Sequence, residues 1–248
     1  MNAFIITTLA GLSTILGSFL IFSKKKPENI LNISLSFAAG VMFSISICDL
    51  IPTSYSMISE TYHLIPTILI VSIFFLIGVL FSNMIDKYLP TDTKILKDSK
   101  LYTVGLISCI AIILHNIPEG IITYITSSQN LQLGIHLSIA IALHNIPEGI
   151  SISVPIYYST GSKKRAFFYT FLSGMSEPLG AFIAYFFLAP YVTNFIMGIL
   201  YAFIGGIMTQ ISLQELLPQA LSYKQKRKTF LIFIIGILFM LGQHFLLG

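Results

Sequence analysis

Apolar residues gather along this chain in eight long runs, near 3–22, 31–51, 64–84, 101–126, 132–157, 166–188, 191–217 and 229–247, with short polar breaks between them. Crossing about 30 Å of hydrocarbon takes about 20 apolar residues in a helix. The pattern therefore predicts an all-α integral membrane fold of eight transmembrane helices. The longest connection, 86–100, is too short for a second domain, so residues 1–248 read as one transmembrane unit with no soluble catalytic appendage.

Composition closes the soluble alternative. With 55% hydrophobic residues, 10% charged residues and a mean hydropathy of +0.85, there is too little polar surface to cover a soluble globule. The first run does not read as a cleaved signal peptide, because no basic residue precedes it and Lys24, Lys25 and Lys26 follow it. All fourteen Lys and Arg fall in odd-numbered connections: Lys24 to Lys26, then Lys87, Lys94, Lys97 and Lys100, then Lys163, Lys164 and Arg165, then Lys224, Lys226, Arg227 and Lys228. The positive-inside rule puts these four loops in the cytoplasm and both termini outside, in a multi-pass protein of the cell membrane. The pI of about 9.0 thus reports orientation in the lipid bilayer, and no nucleic-acid partner is expected. Cys48 and Cys109 lie inside runs and read as buried, inert thiols rather than a disulfide or a thiolate cage.

Charge changes the picture where it stays in the membrane. Five of the ten acidic residues, Asp49, Glu119, Glu148, Glu177 and Glu215, fall in predicted spans with no Lys or Arg beside them. An ionised carboxylate at the bilayer centre costs at least ~2.5 kcal/mol on insertion scales. The missing counter-charge is then a proton or a cation from solution, and the accompanying His115 and His144 point to a metal.

Both histidines belong to Leu-His-Asn-Ile-Pro-Glu-Gly-Ile, which occurs identically at 114–121 and 143–150. On a helix, His115, Asn116 and Glu119 share one face, as do His144, Asn145 and Glu148. Pro118 and Pro147 cannot donate to the carbonyls of Leu114 and Leu143, so each helix is expected to kink there. A short link makes spans 4 and 5 antiparallel neighbours whose polar faces converge near mid-membrane around one ion or two. A fainter repeat aligns 40–52, with Asp49, against 206–218, with Glu215. Spans 2 and 7 run in opposite directions, as do 4 and 5, which fits an inverted 3+2+3 arrangement of the kind carriers use, with Asp49 and Glu215 on a metal pathway. The competing reading is that the two acids mark helix ends at the interface.

The paired His-Asn-Ile-Pro-Glu-Gly motifs, the Ser-Gly-Met-Ser-Glu177-Pro stretch in span 6, eight spans and external termini resemble the ZIP family of metal transporters, in particular its bacterial ZupT-type branch, over essentially the whole chain. The resemblance implies a binuclear mid-membrane site. His115, Glu119, His144 and Glu148 would hold one metal, while Asn116, Glu119, Asn145, Glu148 and Glu177 would hold a second. Met42 aligns with a family residue of span 2 that lines the first site. Many relatives carry a histidine-rich loop between spans 3 and 4, whereas 86–100 contains no histidine, so metal sensing by that loop is not expected. Some relatives place a carboxylate where Asn145 stands and glutamine where His144 stands, so the second site carries less negative charge here.

Imidazole with carboxylate suits zinc first, then iron, manganese, cobalt and cadmium; these would be transported substrates, and no cofactor is expected. No Gly-x-x-x-x-Gly-Lys-Ser/Thr loop is present to bind a nucleotide, so transport would follow the metal gradient, with proton coupling left open. His63 with Glu60, His136 and His244, all near external ends, either collect metal or are ordinary interfacial residues. A metal-selective channel remains an alternative, and assembly as a homodimer stays open. An intramembrane metalloenzyme is the competing class, and the absence of His-Glu-x-x-His argues against any enzyme.

Overall fold

A computed structural model describes residues 2–22, 27–88, 99–188 and 193–247, and all regular structure among them is helical. Helix α1 (Asn2–Ser13) tightens into a 3-10 segment, Thr14–Phe22. Helix α2 (Pro27–Ser44) passes through a π-type segment, Ile45–Leu50, into α3 (Ile51–Ser59). Then come α4 (Leu64–Tyr88), α5 (Ser99–Gln129), α6 (Leu131–Thr160), α7 (Lys163–Gly174) and α8 (Ser176–Ile183), the last extended by a π-type segment, Ala184–Leu188. Helix α9 (Asn194–Gln210) repeats the α2 pattern, with a π-type segment, Ile211–Leu216, and then α10 (Leu217–Leu221); α11 (Lys226–Leu247) closes the chain. Lys24, Lys25, Lys26, Lys94 and Lys97 lie outside the described residues.

Among the described residues, six stretches are long and apolar enough to cross a membrane: Asn2–Phe22, Glu28–Ser59, Leu64–Met84, Leu101–Ser128, Gly134–Thr160 and Asn194–Leu221. Large apolar side chains are exposed on α4 (Ile65, Leu80), on α7 and α8 (Phe168, Phe182) and on α11 (Leu231, Leu238). Apolar surface of this extent stands in water only at a high cost, roughly 25 cal/mol per Å², whereas lipid solvates it freely.

Three boundaries differ from the sequence pattern. The second run does not stop near 51: helical structure continues through Pro52 to Ser59, and its counterpart continues through Pro218 to Leu221. A proline removes one backbone donor, and the wider π-type turn before each proline absorbs that loss without ending the helix. Asp49 and Glu215 therefore sit inside helices, not at their ends. Helices α5 and α6 stay continuous through Pro118, Pro147 and Pro155, and the discontinuity falls in the sixth run, at Met175. There Pro178 has no N–H for the carbonyl of Gly174, and Met175 instead closes α7 by donating to the Phe171 carbonyl. Helices α7 and α9 begin at Ser162 and Thr193, whose hydroxyls accept from the backbone N–H of Arg165 and Ile196.

Glycines set how closely the helices approach, and the approaches come in matched pairs. A Cβ added at Gly40 would strike the Phe233 carbonyl of α11, and one at Gly206 would strike the Phe75 carbonyl of α4. The reverse contacts match too, Gly236 against Phe37 and Gly78 against Phe203. Phe37 packs on Phe239 with ring centroids 5.5 Å apart, and Phe203 packs on Phe81 at 5.4 Å. Helix α2 thus meets α11 as α9 meets α4. In the same way Gly120 of α5 meets the Glu177 carbonyl and Gly180 the Ile117 carbonyl, while Gly149 of α6 meets the Thr14 carbonyl and Gly17 the Ile146 carbonyl.

Helix ends also pair. Lys163 lies over the Phe22 ring at 4.5 Å, and Asn29 accepts from Gln225 and Lys228. Elsewhere Asn194 donates to Glu60 at 2.5 Å, and Phe4 packs on Tyr124 and Tyr185.

Candidate metal centre

Helices α5 and α6 are joined through Asn130 alone, whose carbonyl accepts from Gly134 and whose N–H donates to Thr126. So short a link folds α6 back along α5, and the two identical motifs meet at the middle of both helices. His115, Glu119, His144 and Glu148 are all buried there. His115 Nε2 lies 3.0 Å from Glu119 Oε1 and 3.5 Å from Glu148 Oε1, and His144 Nε2 lies 3.2 Å from Glu119 Oε1. The ligand atoms of His115, His144 and Glu148 all fall within 4.8 Å of one another.

These separations fit an ion. Two donors each about 2.0–2.1 Å from a tetrahedral zinc stand roughly 3.3–3.4 Å apart, and the three measured distances bracket that value. The side chains are also poorly aligned with one another. Both His115 nitrogens and both Glu148 oxygens lack a hydrogen-bond partner although buried, and hydrogen-bond geometry is met between His144 Nε2 and Glu119 Oε2 at 3.3 Å. Leaving such groups unpaired costs about 1–3 kcal/mol each, more for a charge, so donors aimed at a common centre imply a ligand that satisfies them together.

The amides and Glu177 flank this cluster. The break at Met175 places Glu177 in the first turn of α8, fully buried. Asn145 Nδ2 donates to Glu177 Oε1 and to the Ala10 carbonyl at 3.0 Å, and Asn116 Nδ2 donates to the Ser173 carbonyl at 3.3 Å. Asn116 Oδ1, Asn145 Oδ1 and Glu177 Oε2 remain buried without a partner. A second group of oxygen acceptors thus lies beside the histidine-bearing one.

Other sequence candidates fall elsewhere. Met42 is fully buried on α2, which packs against α6. Asp49 and Glu215 are half-buried at matching places in the two π-type segments. His63 and His136 are exposed, Glu60 is engaged by Asn194, and His244 lies near the end of α11. Cys109 is buried and Cys48 half-buried, and both are free thiols. Sequence reasoning missed Ala10 and Ser173, whose carbonyls hold the two asparagines; backbone acceptors carry no residue-type signal.

Comparison with known proteins places this arrangement. Residues 90–243 match the family described as ZIP Zinc transporter. A protein named zinc transporter ZupT from Streptococcus mutans is 42% identical, over 96% of this chain and 95% of its own length. Proteins of the same name from Clostridium perfringens and Campylobacter jejuni are 38% and 37% identical, over 97% and 99% of this chain and 94% and 96% of theirs.

Proposed function

This chain belongs to the ZIP zinc transporter family, and from that premise we propose that it carries zinc and related divalent transition metals into the cytoplasm through the cluster on α5, α6 and α8. It is a divalent metal transporter. The observation that carries the site assignment is the convergence of His115, Glu119, His144 and Glu148 at metal-ligand spacing, with the buried His115 nitrogens and Glu148 oxygens unpaired. Asn116, Asn145 and Glu177 supply a second, more oxygen-rich position, with Glu119 and Glu148 shared. Met42 lines the first position, and Asp49 and Glu215 line the route.

The membrane arrangement belongs to the same proposal: eight spans, inverted 3+2+3, with both termini outside. The matched glycine contacts support it, since α2 with α11 and α9 with α4 repeat one geometry, as do α5 with α8 and α6 with α1. The helix ends support it too, because Lys163 over Phe22 and Lys228 beside Asn29 join segments assigned to the cytoplasmic face, while Glu60 with Asn194 joins external ones. The two spans beyond the six are α7 with α8, and α11. Cysteines introduced at Lys94 or Lys226 on a cysteine-free background are expected to resist external labelling in intact cells; labelling overturns this topology.

Because the chain has no nucleotide loop, movement follows the metal gradient. Both ligand types bind metal in their deprotonated forms, so uptake falls at low pH. The decisive experiment is uptake of a panel of radioactive divalent metals into proteoliposomes, wild type beside a Glu119→Ala and Glu148→Ala double variant. Saturable zinc uptake accelerated by metal on the trans side, and lost in the double variant, is the expected result. Uptake without trans-acceleration indicates a channel, and uptake unaffected by the double variant removes the site.

A further inference from the structure

The break that seats Glu177 has a counterpart on α1. Residues 10–17, Ala-Gly-Leu-Ser-Thr-Ile-Leu-Gly, align with 173–180, Ser-Gly-Met-Ser-Glu-Pro-Leu-Gly, and Gly11, Ser13, Leu16 and Gly17 recur as Gly174, Ser176, Leu179 and Gly180. The contacts follow this alignment. Gly11 and Gly174 each pack on the other's carbonyl, and Ser13 and Ser176 each donate to the carbonyl three residues back. Asn145 holds the Ala10 carbonyl as Asn116 holds that of Ser173. A Cβ on Gly11 would lie 3.0 Å from Glu177 Cβ, and one on Gly174 would lie 3.3 Å from Thr14 Cβ. Thr14 therefore occupies on α1 the seat that Glu177 occupies on α8.

Glu177 is bonded to Asn145, so the same operation sets Thr14 on the side of Asn116. Thr14 is fully buried and its hydroxyl oxygen has no partner; Asn116 Oδ1 is equally buried and unpartnered. The hydroxyl and the amide oxygen are not bonded to each other, and one water donating to both oxygens would satisfy them together; a water on a metal ion is such a donor. Thr14 is also the residue at which α1 tightens into its 3-10 segment, a geometry uncommon over nine residues and frequent at functional hinges.

We propose that Thr14 is a specificity-determining residue of the ion-binding chamber, the neutral counterpart of Glu177, whose hydroxyl and the Asn116 amide oxygen together hold a water on the divalent ion at the second position. This rests on the transporter reading of the site. The ions most affected are those that keep water when bound. Manganese, which favours six oxygen-rich ligands, depends on the held water more than tetrahedral zinc does.

The test is metal binding by the purified full-length chain, titrated with zinc chloride and with manganese chloride, for wild type, Thr14→Val and Thr14→Ser. Outer-shell partners of metal ligands typically contribute about 10–100-fold in affinity. Thr14→Val, which keeps the shape and removes the hydroxyl, is expected to weaken manganese at least ~10-fold, zinc less, and the second equivalent more than the first. Thr14→Ser is expected to restore wild-type values. Val and wild type agreeing within about twofold for both metals overturns the assignment, as does a loss in Val that Ser does not restore. If Thr14→Val does not fold, Thr14→Ala, which removes the hydroxyl and adds no metal ligand, is read against the same limits. A wild-type chain that binds neither metal defeats the transporter reading itself, whereas normal wild-type binding with an unaffected Val variant defeats this assignment alone.

Discussion

The two repeats of this molecule are built in opposite ways. On α5 and α6 the sequence is repeated identically over eight residues, yet its side chains do not bond alike: Asn145 Nδ2 donates to both Glu177 and the Ala10 carbonyl, while Asn116 Nδ2 donates to the Ser173 carbonyl alone. On α2 and α9 the sequence is repeated only faintly, yet the backbone is reproduced closely, each helix passing through a six-residue π-type segment with an acid in it and then through a proline. Ser46 donates to the Gly205 carbonyl and Ser212 to that of Ala39, and both serines are fully buried. On α5 and α6 the residue types are kept and their surroundings make them differ, whereas on α2 and α9 the backbone geometry is kept while the composition drifts.

The strongest way to break this comparison is to remove one chemical half. Glu119→Ala and Glu148→Ala are each expected to lower zinc uptake at limiting metal by more than about 100-fold, beyond the loss typical of an outer-shell partner, because the remaining buried ligands keep an incomplete shell. Near-normal uptake by either folded variant would take that residue out of the site. Next come the packing glycines. Gly120→Val and Gly149→Val each push side-chain atoms into a neighbouring carbonyl, of Glu177 and Thr14 respectively, and overpacking of this kind costs about 1–3 kcal/mol. Both should lower Tm in detergent, and an unchanged Tm in either contradicts the close approach.

Glu177→Gln sharpens the difference between the two motifs. It should keep measurable zinc uptake, with altered affinity or rate and fewer bound ions where two are seen, since the histidine-bearing ligands do not include it. Complete loss of uptake in the folded variant means that the two positions are not separable. Smallest of all, Ser212→Ala should cost about 1 kcal/mol, the net value of one hydrogen bond, and Ser46→Ala somewhat more, because Ser46 also bonds the Thr209 hydroxyl, with uptake retained in both. Chemical denaturation curves that separate the two variants by more than this would deny the equivalence of α2 and α9.

Much of this was legible along the chain. Acids in apolar runs with no Lys or Arg beside them, and an eight-residue identity with helical spacing, point to the proposed metal ligands from local information. The prolines of the two motifs do not end α5 or α6, and the helix break of the sixth run, at Met175, has no comparable signal in the sequence pattern. The likeness of 10–17 to 173–180 went unread because its functional position differs, threonine against glutamate.

By itself, then, the sequence determined that the chain is helical and apolar enough to cross a membrane, and it singled out His115, Glu119, His144 and Glu148, in two identical eight-residue motifs, as the proposed metal ligands. These follow from composition and from spacing within single helices, where residues three or four apart must share a face. Only the tertiary structure decided that Asn145 pairs with Glu177 while Thr14 and Asn116 are left with open acceptors, that Asp49 and Glu215 lie within helices, and that α2 meets α11 as α9 meets α4. Such contacts join residues as much as 199 positions apart, and they are set by glycine-to-carbonyl packing between helices, a geometry that no periodicity within one helix encodes.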